Sequence, residues 1–480
     1  MTPPPRDPSA RQRFASAESL GALLPSGFIV GVSSSAFQIE GATRDGGRGE
    51  SVWDTFSHES GRISGGATAD VASDHYHRVE EDTALIRDLG ADAYGFSFSW
   101  PRVQPGGRGR LNADGVAFYD RLLDGLLTAR ISPVATLFHW DTPEELPDSW
   151  QSRDTAGRFA DLAFQLGECF GDRIERWATM HEPATLVFNG YVSGVQAPGE
   201  RLGLTAALPV AHNLLVGHGL AVQALRGAGV RGGIGLTNSY TPVEPTSSDD
   251  DDTAAAWLYD AVHNRIFGDS VLLGSYPQIP DHFTQVLAPL AETDEADLRL
   301  INQPLDFYGV AYEAPTRVGA APLLLGRAVP GLPYRTAGWP EFAVTGAGSS
   351  IAPEYLETAL AELAESYGDV LPPVFLTSLG AGYADALKLD DRTGERVIAD
   401  SPRIGYIEAH LEAAVRATRP GAPASGVDLR GVTIRGLLDG FEFEAGFTQR
   451  TGLVHVDFNT QERSPKQSYR WLQAMLANRT

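Results

Sequence analysis

The stretch SPVATLF at residues 132–138 is followed by RFADLAFQLGECF at residues 158–170 and by WATM at residues 177–180. The first and third segments are short and apolar, as buried strands are, whereas the middle segment places apolar residues at helical spacing. An alternation of strand and helix predicts a parallel sheet, because the chain must cross one face of the sheet before it adds the next parallel strand. These residues therefore predict an α/β fold.

The same alternation extends in both directions and gives eight strand candidates. They are Phe28–Val32, Ala93–Ser97, Ser132–Phe138, Trp177–Met180, Arg231–Asn238, Phe307–Tyr312, Val374–Thr377 and Val432–Leu438. Eight parallel strands close a (β/α)8 TIM barrel, a fold that often exceeds the length of an ordinary domain. The 480 residues therefore predict a single-domain barrel over residues 25–480, preceded by a disordered arm over residues 1–24.

The charge and the N-terminal residues limit the partners and the compartment. A formal net charge of −23 leaves no extended basic surface to neutralise phosphates, so nucleic acid and anionic membranes are not expected as partners. A small molecule is the predicted partner, and no oligomeric state is predicted. The first residues lack the apolar core of a signal peptide, and no run approaches the roughly 20 apolar residues of a spanning helix. The sequence therefore predicts a cytoplasmic protein.

Cysteine and histidine usage argues against disulfides and metals. The single cysteine, Cys169, cannot form an intrachain disulfide or a thiolate zinc cluster, and we expect it to be a small buried residue. His139, His181 and Glu182 show no spacing typical of a metal site. Neither a metal ion nor a cofactor is therefore predicted.

Chemistry in a (β/α)8 barrel is located at the carboxyl ends of the strands. Seven segments at or near these ends carry polar and aromatic residues in a distinctive order. They are FQIEG (37–41), SVWDTF (51–56), DHYHR (74–78), FHWDTP (138–143), TMHEP (179–183), DGFEF (439–443) and GLVHVD (452–457). Together they span about residues 24–475 and resemble the family 1 glycoside hydrolases, which include β-glucosidases.

This resemblance implies a reaction that two glutamates perform at the ends of the fourth and seventh strands. In that family one is the acid/base, and the other, about 5 Å away, is the nucleophile that forms a covalent glycosyl intermediate. Glu182 in TMHEP matches the acid/base. In the segment LTSLG (376–380), however, Ser378 stands at the position of the nucleophilic glutamate. The resemblance therefore implies that ordinary retaining hydrolysis is lost or strongly slowed.

Further departures from the family surround the same position. His181 stands where the family has an asparagine that reads the sugar 2-hydroxyl, and Arg435 stands at the tryptophan platform. Gly95 replaces an arginine that contacts the nucleophile. The tyrosine that supports the nucleophile aligns with Glu313, or with Tyr312 after a one-residue shift. Arg435 and Glu313 are therefore expected to form a new ion pair.

Other positions retain residues that read the sugar in the family. Gln38, His139 and Glu442 match residues that contact the 3-, 4- and 6-hydroxyls. Trp140 can stack on a sugar ring. The resemblance therefore implies that the part of the pocket distant from the reacting carbon is retained, while the part around that carbon is changed.

Two features bear on the size of the predicted pocket. Gly95 and Ser378 are smaller than the residues they replace, so we expect extra volume beside the sugar site. The glycine-rich residues 319–333 and 343–350 are expected to form a long loop over the barrel mouth.

Three functions are compatible with this pattern. The first is a repurposed enzyme of secondary metabolism, in which Glu182 with His181 or Glu313 performs a lyase, isomerase, cyclase or hydratase step on a sugar-like molecule that Arg435 helps to hold. The second is a non-catalytic sugar-binding protein. The third is a residual β-glycosidase with a relocated carboxylate such as Glu444, or an inverting one with Glu313 as base. We favour the first, because the departures gather in one pocket wall.

Overall fold

The eight predicted strands form one closed parallel barrel. The computed structural model of the protein describes residues 8–321, 332–385, 388–389 and 396–479. Each barrel strand pairs in parallel with the next, and the eighth pairs with the first. The barrel strands are, in order, Ile29–Ser34, Ala93–Ser97, Ser132–Phe138, Arg176–His181, Gly233–Ser239, Phe307–Ala311, Val374–Leu379 and Leu429–Arg435. The predicted single-domain (β/α)8 TIM barrel is therefore confirmed.

Helices surround this barrel, and short strands extend its carboxyl side. The longer helices are Pro8–Leu23, His75–Leu89, Ala113–Thr128, Asp154–Phe170, Leu204–Gly227, Asp250–Asp260, Pro353–Tyr367, Ser401–Ala417 and Gln467–Ala477. Shorter helices include Ala36–Ile39, Val52–His58, Trp100–Val103, Pro183–Thr185, Ile266–Leu272 and Glu295–Ile301, and the π-helical segments are Leu186–Val192 and Ala261–Arg265. One small sheet contains Val243–Pro245, Thr316–Ala320 and Tyr334–Ala337, and another contains Val454–Val456 and Arg463–Pro465.

Side chains alternate between the two faces of each barrel strand, as the period of a strand requires. In the third strand Ala135 and Leu137 are fully buried on the outer face. Val134 and Thr136, which point into the barrel, are only partly buried. The interior of the barrel is therefore not completely filled by its own side chains.

One helix among the described residues, Leu204–Gly227, is long and apolar enough to cross a membrane by length and composition. No such segment is expected from the sequence. In the fold, 72% of its most apolar window is buried, and the helix packs against Asp154–Phe170. A helix that is apolar around its circumference is typical of a protein core. Its apolar residues therefore belong to the packing around the barrel.

The residues before the barrel are not the disordered arm that we predicted. The helix Pro8–Leu23 occupies this region, and its residues Ala17 and Leu20 are buried. It packs against the C-terminal helix Gln467–Ala477, a tertiary contact that local composition does not encode. Residues 1–7 lie outside the described residues.

Two further local predictions were wrong. Cys169 is exposed rather than buried, because it lies on the outer side of its helix. The eighth strand is Leu429–Arg435 instead of Val432–Leu438. The apolar pair Leu437 and Leu438 suggested a continued strand, but Leu438 instead forms a bridge with Val454 outside the barrel sheet.

A buried ion pair joins the segments that follow the first two barrel strands. Arg102 Nε donates to Glu40 Oε2 at 2.7 Å, and the two side chains are 1% and 5% exposed. Arg102 also donates to the carbonyl of Gly41 at 2.8 Å, while the Tyr119 hydroxyl donates to Glu40 Oε1 at 2.6 Å. Both charges therefore have several partners, which is the condition for tolerating charge inside a protein.

Removing one partner of this pair should be strongly destabilising. We expect Arg102→Met to lower the free energy of unfolding by about 3–5 kcal/mol, because it leaves Glu40 charged and unpaired in the interior. The matched control Arg299→Met breaks an exposed pair with Glu295 and should cost about 1 kcal/mol or less. Equilibrium unfolding in urea measures both, and equal losses would contradict the assigned role of the buried pair.

Candidate active site

A cavity of about 820 Å³ opens at the carboxyl end of the barrel. Each of the eight barrel strands contributes at least one residue to its wall. Its volume falls within the roughly 300–1,000 Å³ typical of small-molecule sites, and its position is that of the active site in barrel enzymes. This cavity is therefore the candidate active site.

All the site residues singled out in the sequence lie in the wall of this cavity. They are Gln38, His139, Trp140, His181, Glu182, Tyr312, Glu313, Ser378, Arg435 and Glu442. Glu444 lies there as well. The fold thus gathers residues from seven regions of the sequence into one place, although their individual surroundings differ.

Glu182 and Ser378 both contact the side chain of His181. His181 Nε2 lies 3.0 Å from Glu182 Oε1 and 3.3 Å from Ser378 Oγ. Glu182 has a φ of 43° and is held by its backbone N–H, which donates to the carbonyl of Thr237 at 2.8 Å. Ser378 has a φ of 65°. Such left-handed conformations cost about 1–3 kcal/mol each in residues other than glycine, and they are common at functional sites.

The carboxyl group of Glu182 ionises more readily than an ordinary glutamate. Burial alone would raise its pKa. The attraction of His181, hydrogen bonds from His181 and Thr185, and the charge of Arg435 act in the opposite direction and leave the pKa lowered. Thr185 Oγ1 donates to Glu182 Oε2 at 2.9 Å. Glu182 therefore carries a transferable proton mainly at acid pH.

His139 and Trp140 pack against His181 from the third strand. The two imidazole rings stack with centroids 4.2 Å apart and an interplanar angle of 28°. Burial, assisted by His181 and Arg435, lowers the pKa of His139 well below its ordinary value. A neutral imidazole can both donate and accept a hydrogen bond. Trp140 Nε1 donates to the backbone carbonyl of His181 at 2.8 Å, so this side of the site holds His181 in place.

Arg435 is paired with Glu442, not with Glu313 as we expected. Arg435 Nη2 lies 3.2 Å from Glu442 Oε2, and Thr451 Oγ1 donates to Glu442 Oε1 at 2.6 Å. Burial lowers the pKa of Arg435, but the charges of Glu442, Glu313 and Glu182 raise it above its ordinary value overall. The exposed part of its side chain, 41%, faces the cavity. One charged guanidinium thus interacts with three carboxylates.

Tyr312 and Glu313 are consecutive residues that face different surroundings. Tyr312 is buried, and its hydroxyl donates to the carbonyl of Ala352 at 2.6 Å. Glu313 is exposed toward the cavity, and Ser349 Oγ donates to its Oε1 at 2.5 Å. Of the two candidates that the sequence left open, Glu313 is therefore the one whose side chain can exchange protons with a ligand.

The amide of Gln38 already has partners within the protein. Its Oε1 accepts a hydrogen bond from Ser35 Oγ at 2.6 Å, and its Nε2 donates to the carbonyl of Phe441 at 3.1 Å. Any hydroxyl that Gln38 reads must therefore share these groups or replace Ser35.

The sequence predicted extra volume beside Gly95 and a loop over the mouth of the barrel, and the structure agrees with these predictions only in part. A Cβ atom on Gly95 would lie 2.9 Å from that of Ser33, so the glycine permits close approach between two strands and does not by itself leave a void. Residues 343–350 do line the mouth, since Thr345 and Ser349 belong to the cavity wall. In the other predicted loop segment, Gly319 and Ala320 belong instead to the strand Thr316–Ala320, which pairs with Tyr334–Ala337, and residues 322–331 lie outside the described residues.

An aromatic stack in the cavity wall was not predicted. Phe188 and His263 lie face to face with centroids 3.6 Å apart, and Tyr259 stacks on the other side of His263 at 3.8 Å. Phe188 and His263 belong to the two π-helical segments, a geometry that is frequent at functional sites. The extra residue per turn disturbs helical spacing, so sequence periodicity could not bring these rings together. The sequence shows that Phe188, Tyr259 and His263 are aromatic, but it does not indicate that their rings stack.

No group of three or more His, Cys, Asp or Glu side chains within the described residues is arranged to hold a metal ion. The side chains described above can supply proton transfer, hydrogen bonding and charge stabilisation in the cavity.

Comparison with known proteins gives consistent matches over nearly the whole chain. The model of glycosyl hydrolase family 1 matches residues 21–480. β-Glucosidase A of Thermotoga maritima is 36% identical over 460 residues, which cover 95% of this chain and 98% of that protein. The psychrophilic β-glucosidase from Micrococcus antarcticus has a TM-score of 0.87 at 38% identity, over 96% of this chain and 99% of that one. The Thermotoga maritima family 1 β-glucosidase in complex with isofagomine lactam has a TM-score of 0.86 at 35% identity, over 95% and 99%.

These matches overturn the favoured prediction of a repurposed lyase, isomerase, cyclase or hydratase, and also that of a non-catalytic binder. Proteins 36–37% identical over 95% of this chain are named β-glucosidases. The prediction gave too much weight to a few substitutions in one wall. The barrel, the cavity and Glu182 are all present, and the comparisons favour the remaining alternative, a β-glycosidase.

The left-handed backbone of Ser378 gives a prediction about stability. Ser378→Gly should leave the free energy of unfolding unchanged or raise it by up to about 1 kcal/mol, because glycine adopts a positive φ without a side-chain penalty. The control Thr377→Gly, at a neighbour without a positive φ, should lower it by about 1 kcal/mol or more. Urea unfolding of both variants measures the difference, and an equal loss at the two positions would show that Ser378 is not strained.

Proposed function

The chain belongs to glycosyl hydrolase family 1, and from this premise we propose that it hydrolyses β-glycosides. The observation that carries the proposal is the position of Glu182, at the end of the fourth strand and within a cavity formed by all eight strands. The relatives' names favour a glucose-like sugar as the part that the cavity binds. A structural neighbour that binds isofagomine lactam supports a small polar ligand.

We propose further that Ser378 occupies the position of the family's nucleophile, which makes this chain a divergent member. Its place in the seventh strand and its contact with His181, the neighbour of Glu182, support this assignment. A serine hydroxyl needs an adjacent base to become a nucleophile. His181 Nε2 also contacts Glu182, so an N–H directed at that carboxylate cannot accept the serine proton. Direct attack by water is then the simpler route.

In such a single displacement, Glu182 donates its proton to the leaving-group oxygen while the glycosidic bond breaks. Water attacks the anomeric carbon, and Glu313 accepts the proton that the water loses. Ser349 occupies one oxygen of Glu313, and the other has no hydrogen bond to any described residue. While Glu182 still holds its proton, the carboxylates of Glu313 and Glu442 outnumber the guanidinium of Arg435. Their excess negative charge favours the positive charge that develops on the sugar.

The sugar would be oriented by residues on the opposite wall. His139 is neutral and can exchange hydrogen bonds with a hydroxyl, while Trp140 offers an aromatic face. Arg435 and Glu442 form an ion pair whose outer atoms can bind neighbouring hydroxyls. Gln38 completes this wall through the amide that it shares with Ser35. Tyr312, held by Ala352, is part of the supporting wall.

The two carboxylates should respond differently to the leaving group. Glu182→Gln should slow phenyl β-glucoside hydrolysis about 10²- to 10⁴-fold but slow 2,4-dinitrophenyl β-glucoside far less, because a good leaving group needs no proton. Glu313→Gln should slow both to a similar extent, because its proton comes from water. Rates of phenol release at high enzyme concentration measure this. Glu295→Gln, on an exposed helix, is the matched control.

The stereochemistry separates this mechanism from its alternative. Proton NMR of the first product should show α-glucose, the outcome of one displacement. β-Glucose would contradict it and indicate a substitute nucleophile such as Glu444, which Glu444→Gln would test. Absence of hydrolysis of β-glucosides, β-galactosides and β-fucosides by the unmodified protein would overturn the proposed function.

The pH dependence should follow the lowered pKa of Glu182. Since the acid form donates the proton, kcat/KM for phenyl β-glucoside should decline as pH rises through that pKa, which gives an acid optimum. His181→Asn removes the attraction that lowers the pKa, so the declining limb should move upward by about one pH unit. Profiles from acid to neutral pH measure the shift, and an unmoved limb would show that another group supplies the proton.

A further inference from the structure

The cavity does not end at the level of Glu182 and Ser378 but continues into the barrel. Both Phe307 and Ala311, the first and last residues of the sixth strand, line it. Four residues of extended chain correspond to roughly 13 Å at about 3.3 Å per residue. In most barrels of this type, layers of bulky branched side chains fill this space. The cavity therefore extends from the mouth into the interior of the barrel.

Small and hydroxylated residues form most of the wall of this inner part, which we call the shaft, and Val134 and Phe307 contribute apolar surface to it. The shaft is lined by Ser33, Thr136, Ala178, Thr237, Phe307 and Thr433. These residues come from six different barrel strands. Because inward positions that usually carry bulky aliphatic side chains carry hydroxyls here, the shaft is polar on several sides.

Several of these hydroxyls have no partner in the protein. The partly buried Ser33, Thr136 and Thr433 make no side-chain hydrogen bond with any described residue. Thr377 Oγ1, in the same wall, is buried and also unpartnered. A hydroxyl that faces a cavity without a protein partner can both donate a hydrogen bond to a ligand and accept one from it. The shaft thus offers a set of unused donors and acceptors.

Two polar residues nearer the mouth, Gln38 and Glu442, are in contrast already engaged within the protein. Gln38 is bonded to Ser35 and Phe441, and both oxygens of Glu442 have partners. A ligand that enters the cavity therefore finds additional hydrogen-bonding groups deeper, in the shaft.

We propose that the shaft is a second sugar subsite, which binds a hydroxylated substituent, up to one further sugar ring, carried by the sugar in the mouth. This inference rests on the proposed β-glycosidase function and defines its substrate class as β-glycosides of a disaccharide or similarly extended sugar. The interior of an eight-stranded barrel is wide enough for one small ligand when side chains do not fill it. Hydroxyls that both donate and accept match a polyol better than an apolar or charged group.

Substrate length tests the proposal by catalysis. The experiment compares nitrophenol release from the nitrophenyl β-glycosides of glucose, cellobiose, gentiobiose and sophorose. The ratio of kcat/KM for at least one disaccharide glycoside to kcat/KM for the glucoside should be about ten or more. Thr136→Val and Thr433→Val keep the side-chain shape but remove a hydroxyl, so each should lower this ratio severalfold. Ala178→Leu should fill the shaft and bring the ratio to about one. The exposed Thr358→Val is the control, and thermal unfolding verifies that each variant folds.

Binding tests the shaft independently of turnover. Calorimetric titration should give a Kd at least about tenfold lower for one of these free disaccharides than for glucose, and Thr136→Val should reduce the difference. Disaccharide binding of this kind without hydrolysis of any glycoside would refute the proposed function and leave the shaft proposal standing. The proposal would be overturned if aryl glucosides are hydrolysed but kcat/KM for every aryl disaccharide glycoside is about equal to that for the aryl glucoside, and if Ala178→Leu does not change this ratio. That result would mean that the shaft holds only water.

Discussion

The parallel pairing of the first and eighth strands is the interaction on which the rest of the structure depends. It runs from Ile29 opposite Gly431 to Ser33 opposite Arg435. A Cβ on Gly431 would lie 2.4 Å from the carbonyl oxygen of Ile29, so this approach requires glycine. Closure leaves the sheet without an edge and turns all eight carboxyl ends toward one axis. Glu182 and Ser378 are separated by almost two hundred positions in the sequence, and both contact His181 because the barrel is closed.

Charge in the site follows from the same closure. Arg435 is the last residue of the eighth strand, so the pairing that closes the barrel also carries a guanidinium to the rim of the cavity. There it stabilises Glu442 by direct contact and lowers the pKa of Glu182 at longer range. A positive charge at this place opposes protonation of the acid, while burial of the carboxyl group favours it. Proton availability in the site is thus a balance between burial, which raises the pKa of Glu182, and the combined effect of His181, Thr185 and Arg435, which lowers it.

The fold was predictable from sequence because its signals are local and repeated. The second and third strands begin and end where the apolar patterns predicted, and the candidate site residues all line one cavity. Contacts made by distant segments were less accessible. The partner of Arg435 depends on how the chain turns after the eighth strand. The stack of Phe188 on His263 depends on π-helical geometry. The position of the first helix depends on its packing against the last helix. The functional prediction was wrong for a related reason, since one chain shows which residues changed but not how much change the reaction tolerates.

The contact between the helix Pro8–Leu23 and the helix Gln467–Ala477 has a practical consequence. Arg479 donates to the carbonyl of Phe28 at 3.3 Å and also pairs with Asp92, and these two residues directly precede the first and second barrel strands. Both helices are therefore anchored at the floor of the barrel, on the side away from its mouth. A protein attached to a solid support through either of them would present its open cavity to the surrounding solution.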